Sequence, residues 1–455
     1  MMLATALASA PAGVDEALAL VDGFDDALVH GLARVDEERA EALESLAAAF
    51  AGSPLADRLA DAVGKIIAGA VTDEHLIAVA GARIALLGAV HDALLAGLDA
   101  GLGRVREDLP VIPEPGAGGN ILGSSRSWLR ELAISGWRGV DHELAAAGTQ
   151  SVQALLDDPE RRRLAVLLDG FAGELRFAAP VATMPRIPVR RWADLWSRAL
   201  LLSQENALAY PVAPVSGRFR ILGVDLHEHP TVFRAQVHGL LETPDGVRLA
   251  RTSVAAAKVD TITGPAAWRL LDGFPVLLGA LAGGLSLEVT DARLTPGGDL
   301  IWDETRARAG GPVDPFALAR VQLGPAVAPA GAPLERHPAM IAEPVLLEGY
   351  SATAESLELG GTRVGIDADR LPAAGPLTPA LVAASTACLG LLRWEAGRWL
   401  VQPLAVQATV KKKAVVVSTS DWALGPTEAK AAKAAATAGT ATEVLRERAG
   451  RLLRK

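Results

Sequence analysis

The hydrophobic period of this chain changes once, near Tyr210, and a single repeating architecture cannot satisfy both sides of the change. Before it, Leu, Val, Ile and Ala recur at helical spacing. After it, apolar and polar residues alternate, the signature of strands with one buried face. The chain therefore reads as α+β, with a helical N-terminal half and an antiparallel β-rich C-terminal half.

The residues divide the helical half further. Residues 1–110 hold 18 acids and 7 basic residues, a net of −11, and Phe24 and Phe50 are their only aromatics. Every Trp and Tyr lies beyond residue 127. Between them, residues 111–126 form a linker by composition, with Pro113, Pro115 and a run of glycines. Residues 127–210 make a second helical region. Thr72 before Asp73 and Glu74 marks a helix start, and so does Ser53 before Pro54. A helix over Arg190–Arg198 places Trp192 and Trp196 on one face, and lets Asp194 pair with Arg190 or Arg198.

Beyond Tyr210, strands are expected at 219–226, 232–241 and 247–254, with a turn at Thr243-Pro244-Asp245-Gly246. A helix carrying Trp268 follows, then a hairpin over 285–304. A Pro/Ala/Gly-rich connection runs from 309 to 342. The second β module, 343–423, has strands at 344–350, 351–359, 362–366, 390–394, 399–406 and 414–418, and a helix capped by Thr378 that holds Cys388. The element order of 211–308 thus recurs in 343–423, which suggests two small barrel-like modules. Residues 424–455 form a basic, low-complexity tail with a short terminal helix.

Composition excludes some classes. A net charge of −9 argues against a general nucleic-acid surface. OB-like modules would make a weak binder at most, since Lys411–Lys413 is the only basic run within them. Cys388 is the single cysteine, so no intrachain disulfide or cysteine-based zinc site exists, which fits a reducing cytoplasm. The first 13 residues lack a basic leader region, so no signal peptide is expected. No membrane span is expected either, because Arg83 and Asp92 interrupt the longest apolar stretch. The Ala/Arg/Gly-rich, lysine-poor composition suggests a bacterial source.

Candidate chemistry is sparse. Asp225, His227 and His229 alternate on a strand and could converge on a metal, but His229-Pro230 favours a polar hairpin tip that splays them. His238 lies on the return strand, too far from that tip to join by simple pairing. Gly116 to Ser125 resembles a phosphate loop, yet no strand precedes it and no lysine occupies the expected place. Cys388 sits in apolar sequence with no base nearby. No catalytic set, cofactor or firm metal site is assigned. Trp192, Trp196, Trp394 and Trp399, with Arg191 and Arg198, are the residues expected to contact a protein partner if they are exposed. The leading expectation is a non-catalytic interaction or scaffold protein. The alternative is an enzyme or ligand-binding protein whose site lies between the halves and uses acids and arginines such as Asp194, Arg191 and Arg198.

Overall fold

One helix, α5 (Asp73–Leu102), holds the molecule together, because its two halves are buried in different cores. The computed structural model describes residues 2–108, 122–156, 158, 161–204, 212–410 and 412–427, with isolated positions of the tail. The helical layer comprises α1 (Met2–Ala8), α2 (Val14–His30), α3 (Glu37–Ala48), α4 (Ala56–Ile67), α5, α6 (Gly123–Ser135), α7 (His142–Leu156), α8 (Arg162–Ala178) and α9 (Val189–Leu202). Thr72 accepts from the His75 amide and opens α5 as its sequence indicates. Ser53 instead closes a turn with the Leu55 amide, and α4 starts at Ala56.

The helices on either side of the glycine-rich segment share one core. Phe24, Leu28, Leu59 and Val79 pack there with Trp128, Trp137, Phe171, Trp192 and Trp196. Trp137 meets Trp192 edge to face at 6.1 Å and Phe171 at 6.0 Å, favoured geometries for aromatic pairs. Trp196 donates to the Leu129 carbonyl, so its buried N–H is satisfied. Within this core Arg83 clasps Asp25 through two bonds of 2.6 and 2.9 Å. Helix α5 is long and apolar enough to cross a membrane, but it is largely buried among these neighbours.

The C-terminal half is a pair of open sheets rather than two barrels. The first is antiparallel, ordered β3 (Gly246–Ala257), β2 (Val232–Thr243), β1 (Ala213–Glu228), β4 (Leu285–Leu294) and β5 (Leu300–Ile301), with β6 (Ala307–Pro312) also on β4. The second is ordered β7 (Glu343–Glu348), β11 (Ser385–Glu395), β12 (Arg398–Val410), β10 (Thr362–Ile366), β9 (Ser356–Leu359) and β8 (Ser351–Ala352), with β13 (Lys413–Ser418) also on β12. Its β10–β12 pair is parallel. The repeated element order is therefore wound into two different topologies. Strand β6 is made of Ala, Arg, Gly and Pro and was read as connection. It is a strand because β4 offers it an edge. The helix expected to hold Cys388 stops at Ala383 (α12, Pro379–Ala383), and Cys388 lies in β11, paired on both sides by β7 and β12.

Each sheet has one face against helices. Phe233, Val237 and Leu241 pack on Trp268 and on α10 (Pro275–Gly283). Cys388, Leu392 and Trp394 face Leu94 and Leu98 of α5 and Leu7 of α1. The inner faces meet in a sandwich, where Leu222, Leu240 and Leu249 oppose Ala387, Leu389 and Ala405. Gly223 lies at a β-bulge, where a Cβ would come within 2.7 Å of the Leu404 Cβ. Burial pushes the Cys388 thiol up to about 12. A thiol-labelling reagent should therefore leave native protein unmodified and label one site after unfolding in urea; rapid native labelling would contradict this packing.

Candidate functional site

The inner face of the first sheet changes character toward one end. Register sets His227 opposite Arg234, Asp225 opposite Gln236, and Gly223 opposite His238. Strand β3 extends two of these rows with Ser253 beside Gln236 and Arg251 beside His238. Directly paired residues point to the same side of a sheet, so these side chains form one polar surface. It continues the apolar patch of Leu240 and Leu249, beyond which the sandwich opens.

At the boundary lies a buried polar cluster joining the sheets. Asp225 is 1% exposed and accepts three bonds of 2.7 Å, from His227 Nε2, Arg393 Nη2 and Gln402 Nε2. Burial alone would raise its carboxyl, but the His227 hydrogen bond and the Arg393 charge hold it below the usual range. Burial drives His238 down to about 3, so that ring is neutral, and its Nε2 has no hydrogen-bond partner.

Past this cluster is a cavity of about 520 Å³ between the helical layer and both sheets. Its walls include His91 and Leu95 of α5, Arg163 of α8 and Arg198 of α9. The sheets contribute His227, Arg234, Gln236, Arg251, Ser253 and Arg393, and the segment Ala328–Glu343 supplies another wall. Among the described residues seven arginines line the cavity against three acids, Asp299, Glu335 and Glu343. Six of the arginines are ion-paired. Arg106 pairs with Asp99 and Glu343, Arg251 with Asp299, and Arg163 with Glu335. Arg198 pairs with Asp194, Arg370 with Asp367 and Glu395, and Arg393 with Asp225. Arg234, half-buried, makes no ion pair or hydrogen bond among the described residues, and Gln236 beside it makes no side-chain hydrogen bond.

The chemistry of His227 follows from Asp225. A carboxylate can only accept, so the neutral form of His227 carries its proton on Nε2 and turns Nδ1, which has no hydrogen-bond partner among the described residues, into an acceptor. The site can thus offer one free guanidinium, an amide, a hydroxyl and an oriented imidazole.

Structure and sequence reading differ at several of the nominated residues. Strand β1 runs to Glu228, two residues past its expected end, so His227 joins Asp225 inside the sheet rather than at the hairpin tip. His229 is at the tip, exposed, and bonded to Thr231. Asp225 and His227 meet, but no group of three His, Cys, Asp or Glu residues suited to a metal occurs among the described residues. His238, set aside as too distant, lies one row from Asp225. Trp192 and Trp196 are buried in the helical core, while Trp394 and Trp399 pack edge to face at 5.3 Å in another core. Arg191 is exposed and bound to Glu174. Of the arginines singled out, Arg198 alone reaches the cavity. Most of the Gly116–Ser125 loop lies outside the described residues, as does Lys411 of the basic run.

Arg234, Gln236, Arg251, Arg393 and Gln402 were missed. Their signal was present in part: Arg234, Gln236 and His238 alternate on one face of a recognised strand, where an inward-facing polar row is unusual. Arg393 gives no such signal: its neighbour Trp394 points to the opposite side, into another core.

No protein-family model, no curated protein and no solved structure was found to match this chain.

Proposed function

We propose that the protein binds a small anionic ligand in the cavity between its helical layer and its two sheets. The observation that carries this reading is Arg234: a half-buried guanidinium with no counter-ion, beside Gln236 and Ser253, in a cavity whose other arginines are paired. A cation removed from water without a partner is costly, and an incoming anion offsets that cost with charge-assisted hydrogen bonds. The cavity volume suits a small molecule rather than a polymer. The four tryptophans named as partner contacts are core side chains, while Arg191 is exposed.

Calorimetry at low salt with phosphate, sulfate, citrate and acetate tests the proposal. At least one anion should bind, and Arg234→Gln should weaken it about tenfold or more, the scale of one charge-assisted bond. Equal affinity in the variant would dismiss the site.

A catalytic reading has one specific support. The Asp225–His227 pair presents a base of fixed tautomer to the cavity. Were turnover of a bound anion found, His227→Gln should abolish it and leave binding within about threefold, because the amide keeps a donor for Asp225.

A further inference from the structure

We infer that the ligand is an aliphatic monocarboxylate, its head on Arg234 and its hydrocarbon chain along the apolar wall. This rests on the anion-binding reading above and narrows it. Three observations point the same way.

The first is charge. Arg234 is the one lining guanidinium without a counter-ion among the described residues, so the walls match one acidic head better than a polyanion. A carboxylate fits a guanidinium with two parallel bonds, and the amide of Gln236 lies in the adjoining row. The second is the remaining wall. Leu95, Pro329, Met340 and Ile341 line the same cavity, and Met340 is 53% exposed, a large flexible apolar side chain left uncovered. The third is aromatic character: among the described residues no Phe, Tyr or Trp lines the cavity. A nucleobase or aromatic acid finds only the imidazoles of His91 and His227 and guanidinium planes to stack on, whereas a flexible alkyl chain needs no ring.

Calorimetric titration with acetate, butyrate, hexanoate and octanoate, and with octanamide and inorganic phosphate, tests the assignment. Affinity should rise about two- to fourfold per methylene from butyrate to octanoate, the value of partial to full burial of each CH₂. Octanamide should bind at least about tenfold more weakly than octanoate. Arg234→Gln should erase that preference for the acid. Met340→Gln, a neutral change at an exposed position of the cavity wall, should flatten the chain-length series. Carboxylates that bind through Arg234 with no dependence on chain length would overturn the inference and leave the anion reading standing. So would Arg234-dependent binding of phosphate with no carboxylate bound. Absence of binding by every anion would remove both.

Discussion

Arg393→Ala is expected to cost about 3–5 kcal/mol of stability, the range for a buried ion pair stripped of one partner. The variant leaves Asp225, 1% exposed, with only Gln402 and the half-exposed His227 to answer its charge. The outcome has a pH signature. The folded carboxyl is held below its ordinary value of 3.8. Its contribution is thus present above pH 4 and is lost as the pH falls through the lower folded value. Urea unfolding at pH 7 and at pH 3 should show a large gap between wild type and variant at pH 7 that narrows at pH 3. Replacing both partners, Asp225→Val with Arg393→Leu, should cost less than Arg393→Ala alone, because no orphaned charge remains. A single-variant loss under about 1 kcal/mol at pH 7 would mean that water reaches Asp225 and that the sheets are not sealed there.

The second large effect is steric. Gly136 ends α6 with φ 69° and ψ 165°, a region open almost only to glycine. The chain there crosses the end of α2 so closely that Leu32 donates to the Ala133 carbonyl at 2.8 Å. A Cβ on residue 136 would lie 2.6 Å from the His30 carbonyl carbon and 2.8 Å from the Gly31 Cα, both backbone atoms that cannot rotate aside. Backbone strain and overpacking together should make Gly136→Ala cost about 2–6 kcal/mol. Gly64→Ala is the matching control. That glycine is on α4, where an added Cβ meets nothing within 4 Å, so the change should stabilise by about 0.5–1 kcal/mol. Thermal or urea unfolding reads both, and like signs for the two variants would refute the argument.

Local signals account for what was readable beforehand. The hairpin turn at Thr243–Gly246, the cap at Thr72 and the strand at Leu285–Leu294 depend on neighbours in sequence, and each is where the pattern places it. Strand β6 and the β11 stretch around Cys388 depend on a pairing partner far along the chain, which propensity does not encode. The site was harder for the same reason. Asp225 meets Arg393 and Gln402 across 168 and 177 residues, and one sequence offers nothing to join them. What could be read was the alternation of Arg234, Gln236 and His238. Adjacent strand residues diverge, so neither could point to the other: Trp394 enters a core and Arg393 the polar cluster.

Helix α5 also decides how the protein comes apart. Leu76 and Val79 near its start belong to the helical core, and Leu94 and Leu98 near its end cover the second sheet. Neither half can melt without stripping the other of a wall, and the cavity lies beside the helix at His91 and Leu95. The two halves should therefore unfold as one cooperative unit. Severing the chain near residue 210 would yield not two working modules but a helical piece and a β piece, each with a sticky uncovered face.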